Sequence, residues 1–174
     1  MGRYRPPGQP KSPYITAPGA KRLDDELRYL WKVKRPAITQ SVKEAAAQGD
    51  RSENAEYIYG KKQLREIDGR VRYLSKRLDI LTVVDRLPED RNTIFFGAWV
   101  TVLDEHDKEA CYRIVGPDEI GDIPGYISMD SPMARQLLKK HPGDEFYIQR
   151  PDGNETWYEI IGIEYREEDS QPKN

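Results

Sequence analysis

Cysteine is nearly absent from this 174-residue chain: Cys111 stands alone, which excludes an intramolecular disulfide framework and a cysteine metal cluster. Set between Ala110 and Tyr112 in an expected strand, it reads as an inert core thiol. Histidine is almost as scarce. His106 lies in an acidic turn and His141 precedes Pro142, neither beside ligand-type residues, so both are expected at the surface and not on a metal. No run of about eighteen apolar residues exists to span a bilayer, and Met1 to Pro10 lacks the apolar segment of a secretory signal. A cytoplasmic chain with no membrane partner is expected. With 37% hydrophobic residues and a mean hydropathy of -0.85, the core must be modest and the solvated surface large, which suits an elongated molecule better than a sphere.

The net charge of -2 conceals an asymmetry. Residues 20–83 hold 15 basic and 10 acidic side chains, whereas residues 84–174 hold 10 basic and 20 acidic. A basic arm on an acidic body suggests an arm that tolerates or seeks nucleic acid, although helices rich in Lys and Arg are also simply well solvated.

The pattern along the chain divides it in four. Residues 1–13 are rich in proline, glycine and basic residues and are expected as a disordered tail. Thr16 is a plausible N-cap with Pro18 in the first turn. From there Leu23, Leu27 and Leu30, then Ile38, Val42 and Ala45, form the apolar stripe of one long helix, expected to kink at Pro36. Gly49 supplies a stop. In the second helix Leu64, Ile67, Val71, Leu74, Leu78 and Leu81 recur at the 3,4 spacing of a coiled-coil seam. Only residues 49–52 separate the two expected helices, so residues 14–83 are expected to fold back as an antiparallel hairpin of roughly 40 Å, thin at its tip where Ala45, Ala46, Ala47 and Ala55 crowd together. Residues 84–166 change to short β-rich runs, 94–103, 110–115, 145–149 and 156–163, with turns at Gly116-Pro117, Pro142-Gly143 and Asp152-Gly153 and a short helix from Ser131 to Lys140. Trp99 and Trp157 read as sheet-core aromatics. The class is α+β, a helical hairpin followed by a small antiparallel sheet, with residues 167–174 as a frayed tail.

The stretch from Gly49 to Tyr57 carries the chemistry. Asp50 and Glu53 have the spacing of a variant capping box, which would make them structural. Yet they fall at the end of a rod where nothing in the chain partners them, and exposed carboxylates are poor proton donors at neutral pH but suitable hard oxygen ligands for Mg²⁺. One chain holding half a metal site makes sense where a partner supplies the rest.

These residues resemble the bacterial Gre transcript cleavage factors. The run Gly49 to Tyr57 is similar to the tip signature of that family, and Arg51 with Lys61 to Asp68 and Arg70 to Leu74 is similar to its GreB branch. Tyr29-Leu30-Trp31, Arg35-Pro36, Phe95 to Val100, Arg113 to Gly116, Asp118 to Ile120 and Asp130 to Arg135 extend the resemblance over roughly Tyr14 to Tyr165. It implies an N-terminal antiparallel coiled-coil hairpin and a C-terminal FKBP-like domain that docks at the rim of the RNA polymerase secondary channel, with contacts at Ser131, Pro132 and Met133. The hairpin would enter the channel, and Asp50 and Glu53 would help hold a shared Mg²⁺ in the polymerase site, none being bound by the isolated chain, so that the polymerase cuts backtracked nascent RNA near its 3′ end. Lys43, Arg51, Lys61, Lys62 and Arg65 would face the RNA phosphates. The chain would act as a monomer and would not itself be the enzyme. Two alternatives stand beside this: a channel regulator that inserts its arm without promoting cleavage, and a prolyl isomerase, which would need an open aromatic pocket. The proline-rich N-terminal extension and Gly69, where related sequences often carry Arg, depart from the family pattern.

Overall fold

A computed structural model describes residues 10–49, 51, 53–121 and 123–167. The chain forms two compact units, one from Ala20 to Leu81 and one from the residues up to Gly19 together with Thr82 onward. The class is the α+β arrangement expected. The boundary differs from a cut after Val83, because strand β1 (Tyr14–Thr16) pairs in parallel with β2 (Thr82–Val84). Both strands thereby join the β-rich unit and not the hairpin.

In the hairpin unit, α1 (Ala17–Tyr29) runs into a π-helical turn at Leu30–Lys34, then α2 (Arg35–Ala47); α3 (Ala55–Ile80) returns. The Thr16 hydroxyl accepts from the Gly19 N–H at 3.1 Å, the N-cap expected. The discontinuity expected at Pro36 takes a definite form. Proline lacks an N–H and crowds the carbonyl four residues back; here the preceding turn is widened, with the Arg35 N–H donating to the Leu30 carbonyl, five residues back. The antiparallel pairing follows from contacts that step away from the turn on both sides. Asn54 Nδ2 donates to the Ala45 carbonyl at 2.8 Å, Arg35 Nε to Asp68 at 2.7 Å, and Arg70 grips Glu26 with Nε and Nη2 at 2.7 and 2.9 Å. Leu23, Leu30, Ala45, Ile67 and Leu74 are buried along the seam, and Arg77 beside them is buried too. Gly60 is the point of closest approach: a β-carbon there would lie 2.5 Å from the Val42 Cγ2 methyl. Gly69 has nothing within 4 Å of such a carbon.

The β-rich unit holds a five-stranded sheet in the order β5 (Tyr126–Ser128), β4 (Glu109–Val115), β3 (Trp99–Asp104), β7 (Glu155–Glu164), β6 (Glu145–Gln149). It is mixed and not purely antiparallel, since β5 runs parallel to β4. The short helix is α4 (Pro132–Leu137), tighter than the span expected to Lys140. Ile94, Ala98, Val100, Val102, Ile114, Ala134, Leu137, Phe146 and Ile160 form the core between α4 and one sheet face. Pleat alternation then decides the fate of the neighbours. Because Ala110 and Tyr112 turn inward to the core, Cys111 points outward and is exposed, correcting its expected burial. Trp157 is likewise exposed rather than in the core, with Tyr158 the inward residue.

The proline-rich tail is not uniformly free of structure. Residues 1–9 lie outside the described residues, but Ser12 donates through N–H to Asp130 Oδ2 at 2.9 Å and through its hydroxyl to Asp130 Oδ1, and the Pro13 carbonyl accepts from the Thr82 N–H at 2.7 Å. The buried Glu119 carboxylate completes this corner. It accepts from the Thr16 N–H at 3.0 Å, from the Thr16 hydroxyl, and from the Gly116 N–H at 2.8 Å, which satisfies a charge otherwise costly to bury. The frayed tail expected at residues 167–174 falls almost wholly outside the described residues.

Candidate functional site at the hairpin turn

The turn is longer than the four residues expected, because α2 ends at Ala47 and α3 begins at Ala55. Gly49 has φ of +135°, a conformation that side-chain-bearing residues rarely adopt, and ends the first arm as expected. The start of α3 overturns the capping-box reading. Asn54 is the N-cap: its Oδ1 accepts from the Tyr57 N–H at 3.1 Å, while its Nδ2 reaches back to the Ala45 carbonyl. One side chain thus caps the second helix and ties it to the end of the first. Glu53 sits one residue before the cap, where its carboxylate cannot serve the third helical N–H. It is exposed, without a hydrogen-bond or ion-pair partner among the described residues. Asp50, the other carboxylate expected here, lies outside the described residues.

Lys43 on α2, Arg51 in the turn and Lys61, Lys62 and Arg65 on α3 are all exposed. Lys61, Lys62 and Arg65 share one flank of the helix, since positions one and four apart span only about 100° of arc. Lys62 lies 4.0 Å from Glu66, a fully solvated pair of small energetic weight. Ile58 and Tyr59, 51% and 62% exposed, add apolar surface near the turn that the sequence reading passed over. Neither falls on the Gly60–Ile67–Leu74 face that packs on the first arm. Further from the turn, Arg35 stacks over the exposed Trp31 at 5.4 Å while pairing with Asp68. That hydrogen bond holds the Asp68 carboxyl below its usual range, as Arg70 does for Glu26.

The three residues expected to dock have different environments. Ser131 is the N-cap of α4, its hydroxyl accepting from the Ala134 N–H at 3.2 Å, and Pro132 at the first helical position is exposed. Met133 packs against the core and is half-buried. The pair is therefore not an exposed Pro-Met patch, because the first turn of α4 directs Met133 inward to the sheet. His106 and His141 are exposed as expected, with His141 Nε2 3.0 Å from the Thr93 hydroxyl.

Two families match the chain in tandem, the first including both β1 and β2 with the hairpin. The family "Transcription elongation factor, N-terminal" matches residues 13–83, and "Transcription elongation factor, GreA/GreB, C-term" matches residues 88–165. A protein named transcription elongation factor GreB from Pseudomonas aeruginosa is 56% identical, with 95% of this chain and 98% of that protein covered. A protein of the same name from Yersinia pestis is 54% identical over 90% of this chain and 91% of that one. A solved structure of a GreA/GreB elongation factor from Nitrosomonas europaea matches at 21% identity and a TM-score of 0.41, covering 90% of this chain and 100% of that one. No helix among the described residues is long and apolar enough to cross a membrane. On two family matches that together span most of its length, and on relatives more than half identical across nine tenths of it, the chain belongs to the GreA/GreB family of transcription elongation factors.

Proposed function

We propose that this elongation factor binds bacterial RNA polymerase as a monomer, passes its hairpin into the secondary channel and stimulates cleavage of backtracked nascent RNA, the polymerase being the enzyme. The observation that carries the reading is Glu53. Its carboxylate stands exposed in the turn between two long helices, and the capping it was suited for is done by Asn54. A charge held there and given no structural work is available to a partner.

The residues fit a shared Mg²⁺. Asp50 and Glu53 offer two hard oxygen donors, which suits a cation that takes one or two carboxylates from one source and the rest of its shell from elsewhere. When bound, such an ion lowers the pKa of an attacking water and stabilises the leaving oxygen. This chain's part is positional. The tether from Asn54 to Ala45 and the close packing of Val42 on Gly60 join the two helices beside Glu53, which helps to position its carboxylate. Lys43, Arg51, Lys61, Lys62 and Arg65 steer the extruded RNA through its phosphates, and the corner at Ser131 and Pro132 contacts the polymerase rim.

Transcript cleavage in stalled complexes tests this. Asp50→Asn and Glu53→Gln are each expected to slow stimulated cleavage on the order of 100-fold with polymerase affinity and melting temperature unchanged, and raised Mg²⁺ should restore part of the rate. Parental cleavage by both variants would reject the tip assignment. A wild-type chain that bound the channel without accelerating cleavage would be a channel regulator instead. Neutralising Lys61, Lys62 and Arg65 together should slow cleavage most on deeply backtracked complexes, with the difference fading as salt rises.

A further inference from the structure

The sheet face turned away from the core carries two aromatic centres, and the fold treats them differently. At one, Trp99 on β3 is covered by the chain's own arginines: the Arg166 guanidinium lies 4.4 Å from its ring centroid and that of Arg113 5.9 Å. Arg113 also lies 5.2 Å from the Tyr126 ring and donates to its hydroxyl at 2.6 Å. At the other centre, Tyr147 and Trp157 stand directly opposite each other on β6 and β7 with ring centroids 5.3 Å apart. They are 44% and 47% exposed, and no Lys or Arg among the described residues covers either ring.

The surroundings of this second centre are acidic. Glu145 and Glu159 are paired across the same two strands and project to the same face, an arrangement of like charges that costs stability. No Lys or Arg among the described residues pairs with either. Leu103 lies next to Glu159 on β3, and Asp104 and Glu105 follow at the end of that strand. Together with Trp157 these side chains line a recess of about 340 Å³ whose wall contains no basic residue.

We propose that this half of the sheet face docks an arginine-bearing basic segment of a protein partner, with one guanidinium lying on the Trp157 ring and hydrogen-bonded to Glu145 and Glu159. The occupant follows from charge complementarity and from the precedent within the same sheet. A guanidinium stacks on an aromatic face and fits a carboxylate fork, as Arg166 does over Trp99 with both oxygens of Glu164 at 2.9 Å; a nucleic acid would meet only repulsion here. The inference stands apart from the cleavage reading, since none of these residues belongs to the hairpin.

The full chain would be titrated with a fluorescein-labelled (Gly-Arg)5 peptide, followed by anisotropy and by the Trp157 indole N–H resonance. Saturable binding that moves that resonance is expected, with a (Gly-Lys)5 peptide several-fold weaker. Trp157→Ala and the double variant Glu145→Gln/Glu159→Gln should each weaken it about tenfold, the loss of one desolvated cation–π or charge contact. The double variant removes a repulsion, so it tests the surface even if Trp157→Ala fails to fold. Unchanged affinity in the double variant, a Trp157 resonance that does not move, or equal affinity for the Arg and Lys peptides would overturn the proposal. So would Trp157-dependent dimerisation of the wild-type chain in sedimentation, which would give the face to a second copy.

Discussion

The hairpin unit buries its apolar side chains one at a time, Leu23, Leu30, Ala45, Ile67 and Leu74 strung along a seam, whereas the β-rich unit gathers nine into a single cluster. Two helices can bury only one narrow stripe each, so most hairpin side chains face solvent and remain free to meet a partner. A sheet closed by α4 buries whole residues on all sides. The difference teaches where a substitution will register as lost stability and where as lost function, and three experiments probe it.

The largest stability effect belongs to the cluster. Leu137 is fully buried, and Leu137→Ala should cost about 2–5 kcal/mol by transfer and cavity terms, measured by urea denaturation. A loss below about 1 kcal/mol would show that the cluster relaxes like the seam. Next come the two glycines of α3, where equal sequence changes should have opposite signs. Gly60→Ala drives a methyl into Val42, whose branched side chain has little rotameric freedom on a helix, and should cost about 1–3 kcal/mol despite the better helix propensity of alanine. Gly69→Ala meets nothing and should stabilise by about 1 kcal/mol. Thermal unfolding of the two variants together breaks the comparison if both shift the same way.

The smallest effect is the pH dependence of the ion pairs across the hairpin. Arg70 and Arg35 hold the folded Glu26 and Asp68 carboxyls below their usual values. Such groups add stability that is fully present above the unfolded values of 4.5 and 3.8 and is lost as pH falls through the lower folded values. Glu26 is more than a third exposed, so after screening its pair should be worth only a few tenths of a kcal/mol. Glu26→Gln should remove that part of the acid sensitivity, and high salt should mask the change. A pronounced loss of stability at neutral pH and high salt would instead place Glu26 among the packing residues.

Long elements and their ends could be read from the sequence because their signals are local. Thr16 caps where it was expected, β6 covers Glu145–Gln149 as read, and the Asp152-Gly153 turn closes β6 onto β7. What escaped depended on partners distant in the chain. β1, β2 and β5 have three residues each, too few to show a period, and their pairing is parallel, so no hairpin turn announces them. Cys111, Trp99 and Trp157 were misplaced by one step of pleat parity, which hydrophobicity does not fix where residues on both faces are apolar, as around Cys111 and Trp99. At the turn the spacing of the acidic pair pointed to a capping box, whereas Asn54 is the cap, its amide also donating to the Ala45 carbonyl as no carboxylate can. Gly60 carried no local signal; the reason for it is a methyl group eighteen positions earlier.

The π-turn before α2 links chain length to sequence at one place. It holds one residue more than an α-turn requires, and that surplus is what lets Pro36 follow without its ring striking a carbonyl. Removing a single residue from Leu30–Lys34 would turn the widened turn back into an ordinary α-turn, leave the helix beyond it nearly in phase, and bring the proline clash back. Removing the residue and replacing the proline together would leave a sound α-helix still in phase with α3. The insertion and the proline therefore have to be inherited, or engineered, as a pair.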